Sequence, residues 1–119
     1  MKFLLKLVVS TLAIILVSSF MKDKISFASP LDYVVVAAVL AFLNAVVKPI
    51  LVFFTIPLTI FSLGFFLLII NASMILLTEK FVDGFKVDGF FTALIFSILL
   101  SIVTSILEFL AKTKSDNDD

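Results

Sequence analysis

No charged side chain occurs anywhere from Pro49 through Thr78, and three further charge-free stretches, Leu7–Met21, Tyr33–Val47 and Gly89–Leu107, take up most of the rest of the 119-residue chain. A water-soluble body of this size has too small an interior to hide so much apolar surface. Each stretch instead approaches the ~20 apolar residues that carry a helix across a ~30 Å hydrocarbon layer. Inside that layer every backbone N–H and C=O must be paired within its own segment, which selects helices over open strands. The expectation is an all-α membrane protein of four transmembrane helices in two consecutive hairpins. The helices fall at about 3–21, 31–54, 57–78 and 89–110, within a single domain 1–111 followed by a short polar tail, 112–119, too short to fold alone.

Composition narrows the chemistry. Nine basic residues cancel nine acidic ones, so the concentrated positive surface that phosphate-backbone binding requires is missing and no nucleic-acid partner is expected. The chain has neither cysteine nor histidine. That removes disulfides, thiol nucleophiles, imidazole acid–base catalysis and the usual zinc ligands. No catalytic, cofactor-binding or metal-binding residue set, and no small-molecule substrate, is identifiable. The expected surroundings are membrane lipids, with a homo-oligomer as a further possible partner.

Local signals place the boundaries. Lys2 and Lys6 precede the first apolar run as they would in a secretory signal peptide, but Val17-Ser18-Ser19-Phe20-Met21 lacks a clean small-x-small cleavage site, which favours a retained helix. Ser29-Pro30 suits a helix start, with serine as cap and proline in the first turn. Pro57 repeats that signal for the third segment. Between the second and third segments, Leu51 to Ile56 offers no polar turn. The connection is therefore expected to be short and near the interface, with Pro49 and Pro57 disrupting the helices on either side. It reads either as a tight interhelical turn or as a broken, re-entrant element.

A shift of sixty residues lays Ile25-Ser26-Phe27 and the helix after it onto Phe85-Lys86-Val87 and the helix after that. The identity is low, but each half has an apolar helix, an alternating three-residue run and a second apolar helix. Both runs would leave the hydrocarbon on one face and could pair as a small two-stranded ribbon between the outer loops. The lysines give orientation a weak bias, favouring both termini in the cytoplasm.

Few polar residues enter the spans. Lys48, late in the second segment, reads as a snorkelling side chain at the inner boundary or as the partner of Glu108, its equivalent under the shift. Asn44, one turn before Lys48, and Asn71, deep in the third segment, read as interhelical hydrogen-bonding amides ahead of parts of a solute path. Gly64 reads as a close-packing position. The phenylalanines are ordinary lipid-facing or packing rings, since a nucleic-acid stacking platform would need adjacent positive charge.

Three runs carry a family likeness: Leu43-Asn44-Ala45-Val46-Val47-Lys48-Pro49-Ile50-Leu51, then Ile56-Pro57-Leu58-Thr59-Ile60-Phe61-Ser62-Leu63-Gly64, then Ile70-Asn71-Ala72. In these the chain resembles the small bacterial four-helix membrane proteins of the phage holin superfamily IV, also called the YvlD-like family. Ser62 stands where such proteins often have threonine, which keeps a hydroxyl. The resemblance makes Asn44, Lys48, Pro49, Pro57, Gly64 and Asn71 family-pattern positions, none of them catalytic. It implies a non-enzymatic integral inner-membrane protein with a structural or envelope-related role as the leading reading. A holin-like oligomeric pore former is the alternative, and a small-solute channel or transporter is a weaker one.

Overall fold

The computed structural model describes residues 2–118, with side chains through residue 112. In chain order it comprises α1 (Lys2–Phe20), β1 (Ile25–Phe27), α2 (Leu31–Phe54), α3 (Ile56–Phe61), α4 (Phe65–Phe81), β2 (Phe85–Val87) and α5 (Gly89–Asp118). The side chains of the expected tail, 112–119, lie outside the described set except for Lys112.

The expectation of four transmembrane helices in two hairpins is overturned. Five helices form, and three of them, α1, α2 and α5 as far as Lys112, are long and apolar enough to cross a membrane. The expected span 57–78 is broken at Ser62-Leu63-Gly64. There Gly64 N–H donates to Thr59 O at 2.8 Å and Leu63 N–H to Ile60 O at 3.1 Å. These 6→1 and 5→2 bonds are those of a Schellman terminus, with Leu63 itself left-handed at φ 58° and Gly64 following at φ 91°. The remainder, α4, has 17 residues, about 25 Å of helix at ~1.5 Å per residue, short of the ~30 Å hydrocarbon thickness. Proline acts differently at its two sites. α2 continues through Pro49 to Phe54, whereas Pro57 occupies the first turn of α3, where its missing N–H removes no helical bond.

Four helices form a ring in which α1 and α4 each pack against both α2 and α5. α1 therefore lies diagonally across from α4, and α2 from α5. Each of the four carries a fully buried alanine: Ala13, Ala37, Ala72 and Ala93. Lipid tails supply no hydrophobic drive between helices, so association rests on close packing, and small side chains let the backbones approach. The outward faces are the reverse. Leu5, Val8, Leu12 and Leu16 on α1, Phe42, Val46 and Ile50 on α2, and Ile102, Ile106 and Phe109 on α5 are exposed, a continuous apolar surface that only hydrocarbon would solvate well.

At one end of the ring β1 and β2 pair antiparallel, Ile25 opposite Val87, Ser26 opposite Lys86 and Phe27 opposite Phe85. The register is symmetric under the sixty-residue shift, because the central pair, Ser26 and Lys86, are each other's equivalents. Two flanking bonds obey the same symmetry: Ala28 N–H to Gly84 O and Asp88 N–H to Lys24 O, both 2.8 Å. Burial follows it too. Ile14 and Met74, Ser18 and Thr78, Ile25 and Phe85, Val36 and Phe96, and Leu40 and Leu100 are buried as equivalent pairs. The fold is thus two helix–strand–helix halves around a local two-fold axis, with α3 as an addition between them.

The ribbon is tied down by specific contacts. Phe27 stacks on Tyr33 with centroids 4.3 Å apart and meets Phe85 at 5.0 Å, which in turn meets Phe96 at 6.4 Å. Val87 N–H donates to the Glu79 carboxylate at 2.8 Å. Ser29 N–H donates to Asp32 Oδ2, and that carboxylate lies so close over Gly84 that a β-carbon there would collide with it. The chain begins α1 and ends α5 at the opposite end of the bundle.

Candidate functional site

Away from the ribbon the ring opens into a cleft of about 460 Å³ between α1, α2 and α5. Its deep end is apolar: Ile14, Ala37, Leu40 and Leu100, all buried. Toward the terminal end the wall becomes polar, with Lys6 and Ser10 from α1, Asn44 from α2, and Ser101, Thr104 and Ser105 from α5. Helical spacing explains the convergence. Ser10 follows Lys6 by one turn, and Ser101, Thr104 and Ser105 are separated by three and four residues, so each set forms one stripe on its helix.

The cleft straddles the two-fold axis. Leu40, Ala41, Asn44 and Ala45 on α2 face Leu100, Ser101, Thr104 and Ser105 on α5, equivalent positions under the sixty-residue shift. Polarity is nonetheless one-sided, because the α4 equivalents of Lys6 and Ser10 are Phe66 and Ile70. Lys6 is the one ionisable group on the wall. Glu108 lies one turn beyond Thr104 and is not part of the lining.

Hydrogen bonding divides the polar side chains of the long helices. On the long helices Thr11, Ser18, Ser73, Thr78 and Ser97 all return their hydroxyls to carbonyls of their own helix, at 2.8 to 3.2 Å. None of Ser10, Asn44, Ser101, Thr104 and Ser105 makes a side-chain hydrogen bond among the described residues, and neither do Ser19 and Thr92 outside the cleft; Asn44, Ser101 and Ser105 are exposed. A polar group held in an apolar medium without a partner costs free energy until water or a ligand supplies one. With one ammonium, several hydroxyls, one amide and no base to activate them, the cleft is suited to holding a polar or anionic group.

The residues singled out from sequence are dispersed. Asn44 lines this cleft and also a neighbouring hollow formed with half-buried Lys48, Pro49, Val52, Phe53 and Ile56. Asn71 is half-buried on α4 and, like Asn44, makes no side-chain hydrogen bond to another helix among the described residues. Glu108 is exposed, and the ion pair found among the described residues is Lys24–Asp88 at 3.7 Å. Gly64 is not a close-packing position, since nothing lies within 4 Å of where its β-carbon would stand. The hydroxyl of Ser62 both donates to Thr59 O at 3.2 Å and accepts from Phe66 N–H at 3.0 Å, joining the end of α3 to the start of α4. Sequence reasoning passed over Ser10, Ser101, Thr104 and Ser105. The signal that could have found them is a hydroxyl stripe at helical spacing on α5, an otherwise apolar helix.

Comparison with known proteins agrees with a membrane bundle of this kind. The family described as "Mycobacterial 4 TMS phage holin, superfamily IV" matches residues 1–106. The protein named "Uncharacterized membrane protein YvlD" of Bacillus subtilis is 34% identical over 102 residues, covering 85% of each chain. An uncharacterized protein of Streptomyces coelicolor is 46% identical over 78 residues, covering 62% of each. No solved structure matches. The family description counts four transmembrane segments, whereas among the described residues three helices are of spanning length, with the shorter α4 packed among them. Nearly the whole chain, from α1 through the cleft-lining part of α5, lies within that match, and it belongs to the phage holin superfamily IV family of small multi-span membrane proteins.

Proposed function

We propose that this non-enzymatic inner-membrane protein acts as a holin, several copies associating in the bilayer to permeabilise it. The family match over residues 1–106 carries the reading, ahead of the structural or envelope-related role that sequence alone put first. The fold is compatible with it in two respects. One copy encloses no passage, because the polar cleft ends against Ile14, Ala37, Leu40 and Leu100, so a hole requires several copies. The exposed apolar faces of α1, α2 and α5 leave room for helix-to-helix association driven by packing.

The orientation proposed with it places the end bearing Lys2, Lys6, Lys48, Lys112 and Lys114 in the cytoplasm and the ribbon end, with Lys22, Lys24, Lys80 and Lys86, outside, five lysines against four. Function is tested by controlled expression in bacteria while membrane potential and release of a small dye are followed. The expected outcome is an abrupt, dose-triggered loss of both. Unchanged permeability at high membrane abundance overturns the reading.

A further inference from the structure

We propose that the cleft between α1, α2 and α5 is a binding site for the phosphate-bearing headgroup of an anionic phospholipid. This goes beyond the permeabilising role and does not rest on it. The residues of the wall are graded in the order that a lipid would require. Phe3 and Lys6 stand nearest the terminal end, with Asn44, Thr104 and Ser105 level with Lys6; Leu7, Ser10 and Ser101 lie deeper; Ile14, Ala37, Leu40 and Leu100 close the bottom.

Seated head-outward, a phosphodiester would receive a charge-assisted hydrogen bond from the Lys6 ammonium. The glycerol and ester oxygens one turn below would meet the Ser10 and Ser101 hydroxyls, and the first acyl carbons would meet the apolar floor. The volume, about 460 Å³, lies within the range of ordinary ligand sites, ~300–1,000 Å³.

Two further observations point to a ligand of this charge. Of the five neutral polar side chains of the wall, Asn44, Ser101 and Ser105 are exposed and Ser10 and Thr104 half-buried, and none is bonded within the described fold, so all stand open to a group rich in acceptor oxygens. No carboxylate lines the cleft. The cationic choline of a zwitterionic lipid would therefore find no partner, while the hydroxyls of a glycerol headgroup would find Asn44 and Thr104.

The test uses the full-length protein in mild detergent with equal amounts of phosphatidylglycerol and phosphatidylcholine. Retained lipid is counted by native mass spectrometry and the unfolding midpoint is followed in parallel. Phosphatidylglycerol should be retained over phosphatidylcholine by about tenfold, because both lipids offer a phosphate to Lys6 but choline also sets a second cation beside that ammonium. Lys6→Gln should abolish that preference and Lys6→Arg should keep it. Ser101→Ala combined with Thr104→Val should weaken retention without lowering the midpoint measured in lipid-free detergent, whereas Lys2→Gln, at the same end but outside the cleft, should change nothing. Equal retention of the two lipids overturns the proposal, as does a loss with Lys2→Gln equal to that with Lys6→Gln, which would mean general surface attraction. Displacement of phosphatidylglycerol by millimolar inorganic phosphate also overturns it, by assigning the site to the free anion.

Discussion

Leu63 occupies the left-handed position that ends α3, a place usually taken by glycine, while the glycine stands one residue later. A left-handed conformation costs a residue with a β-carbon roughly 1–2 kcal/mol, so the break in the expected third span is held against a local penalty. Part of what holds it is visible in the Ser62 hydroxyl, which bonds to both sides of the turn. Leu63→Gly should therefore raise stability to unfolding in mild detergent, and Gly64→Ala should lower it by about 1 kcal/mol. Nothing crowds the Gly64 β-carbon position, so that loss would be conformational, and an unchanged midpoint in both variants would show that the turn is not left-handed in the membrane. In sequence, Leu63-Gly64 inside a long apolar run is indistinguishable from a packing site, because periodicity reports apolar faces and not the sign of φ.

The two three-residue strands show what a short element can and cannot reveal. Their alternation and their equivalent places in the two halves were legible in the chain, since Ile25-Ser26-Phe27 and Phe85-Lys86-Val87 each put two apolar side chains on one face. Pairing direction and register were not, because a three-residue run permits several. The bonds across Ala28–Gly84 and Asp88–Lys24 fix the register, with Ser26 opposite Lys86. Residues directly opposite in an antiparallel pair have Cα atoms ~4.5–5.5 Å apart, within disulfide reach. Ser26→Cys with Lys86→Cys should therefore form an intramolecular disulfide on mild oxidation, visible as a gel-mobility change, while Ser26→Cys with Asp88→Cys should not. Efficient closure of the second pair would reject the register.

Across the whole molecule, the ring arrangement puts the start of α1 at the end of the bundle away from the ribbon, separated from it by the length of a spanning helix. Cysteines introduced singly at Lys2 and at Ser26 should react with an impermeant thiol reagent from opposite sides of the membrane, with Ser26 reached from outside. Reaction of both from one side would remove α1 as a span. Accessibility of Ser26 from the cytoplasm alone would reverse the proposed orientation while leaving the bundle intact.

Hydropathy by itself determined that this chain belongs in a bilayer and where most of its helices begin, because apolar length and flanking charge act locally and add along the sequence. The sixty-residue repeat was also present in the order of elements. Two features depended on tertiary structure. The split of the expected third span arises from a backbone conformation at Ser62-Leu63-Gly64 that side-chain polarity does not encode. The polar cleft arises because the diagonal placement of α2 and α5 turns Asn44 toward Thr104, while α1 brings in Lys6 and Ser10. These groups are far apart in sequence, and each is unremarkable on its own helix. Only packing makes them neighbours, since their meeting depends on which helix faces turn inward around a shared axis.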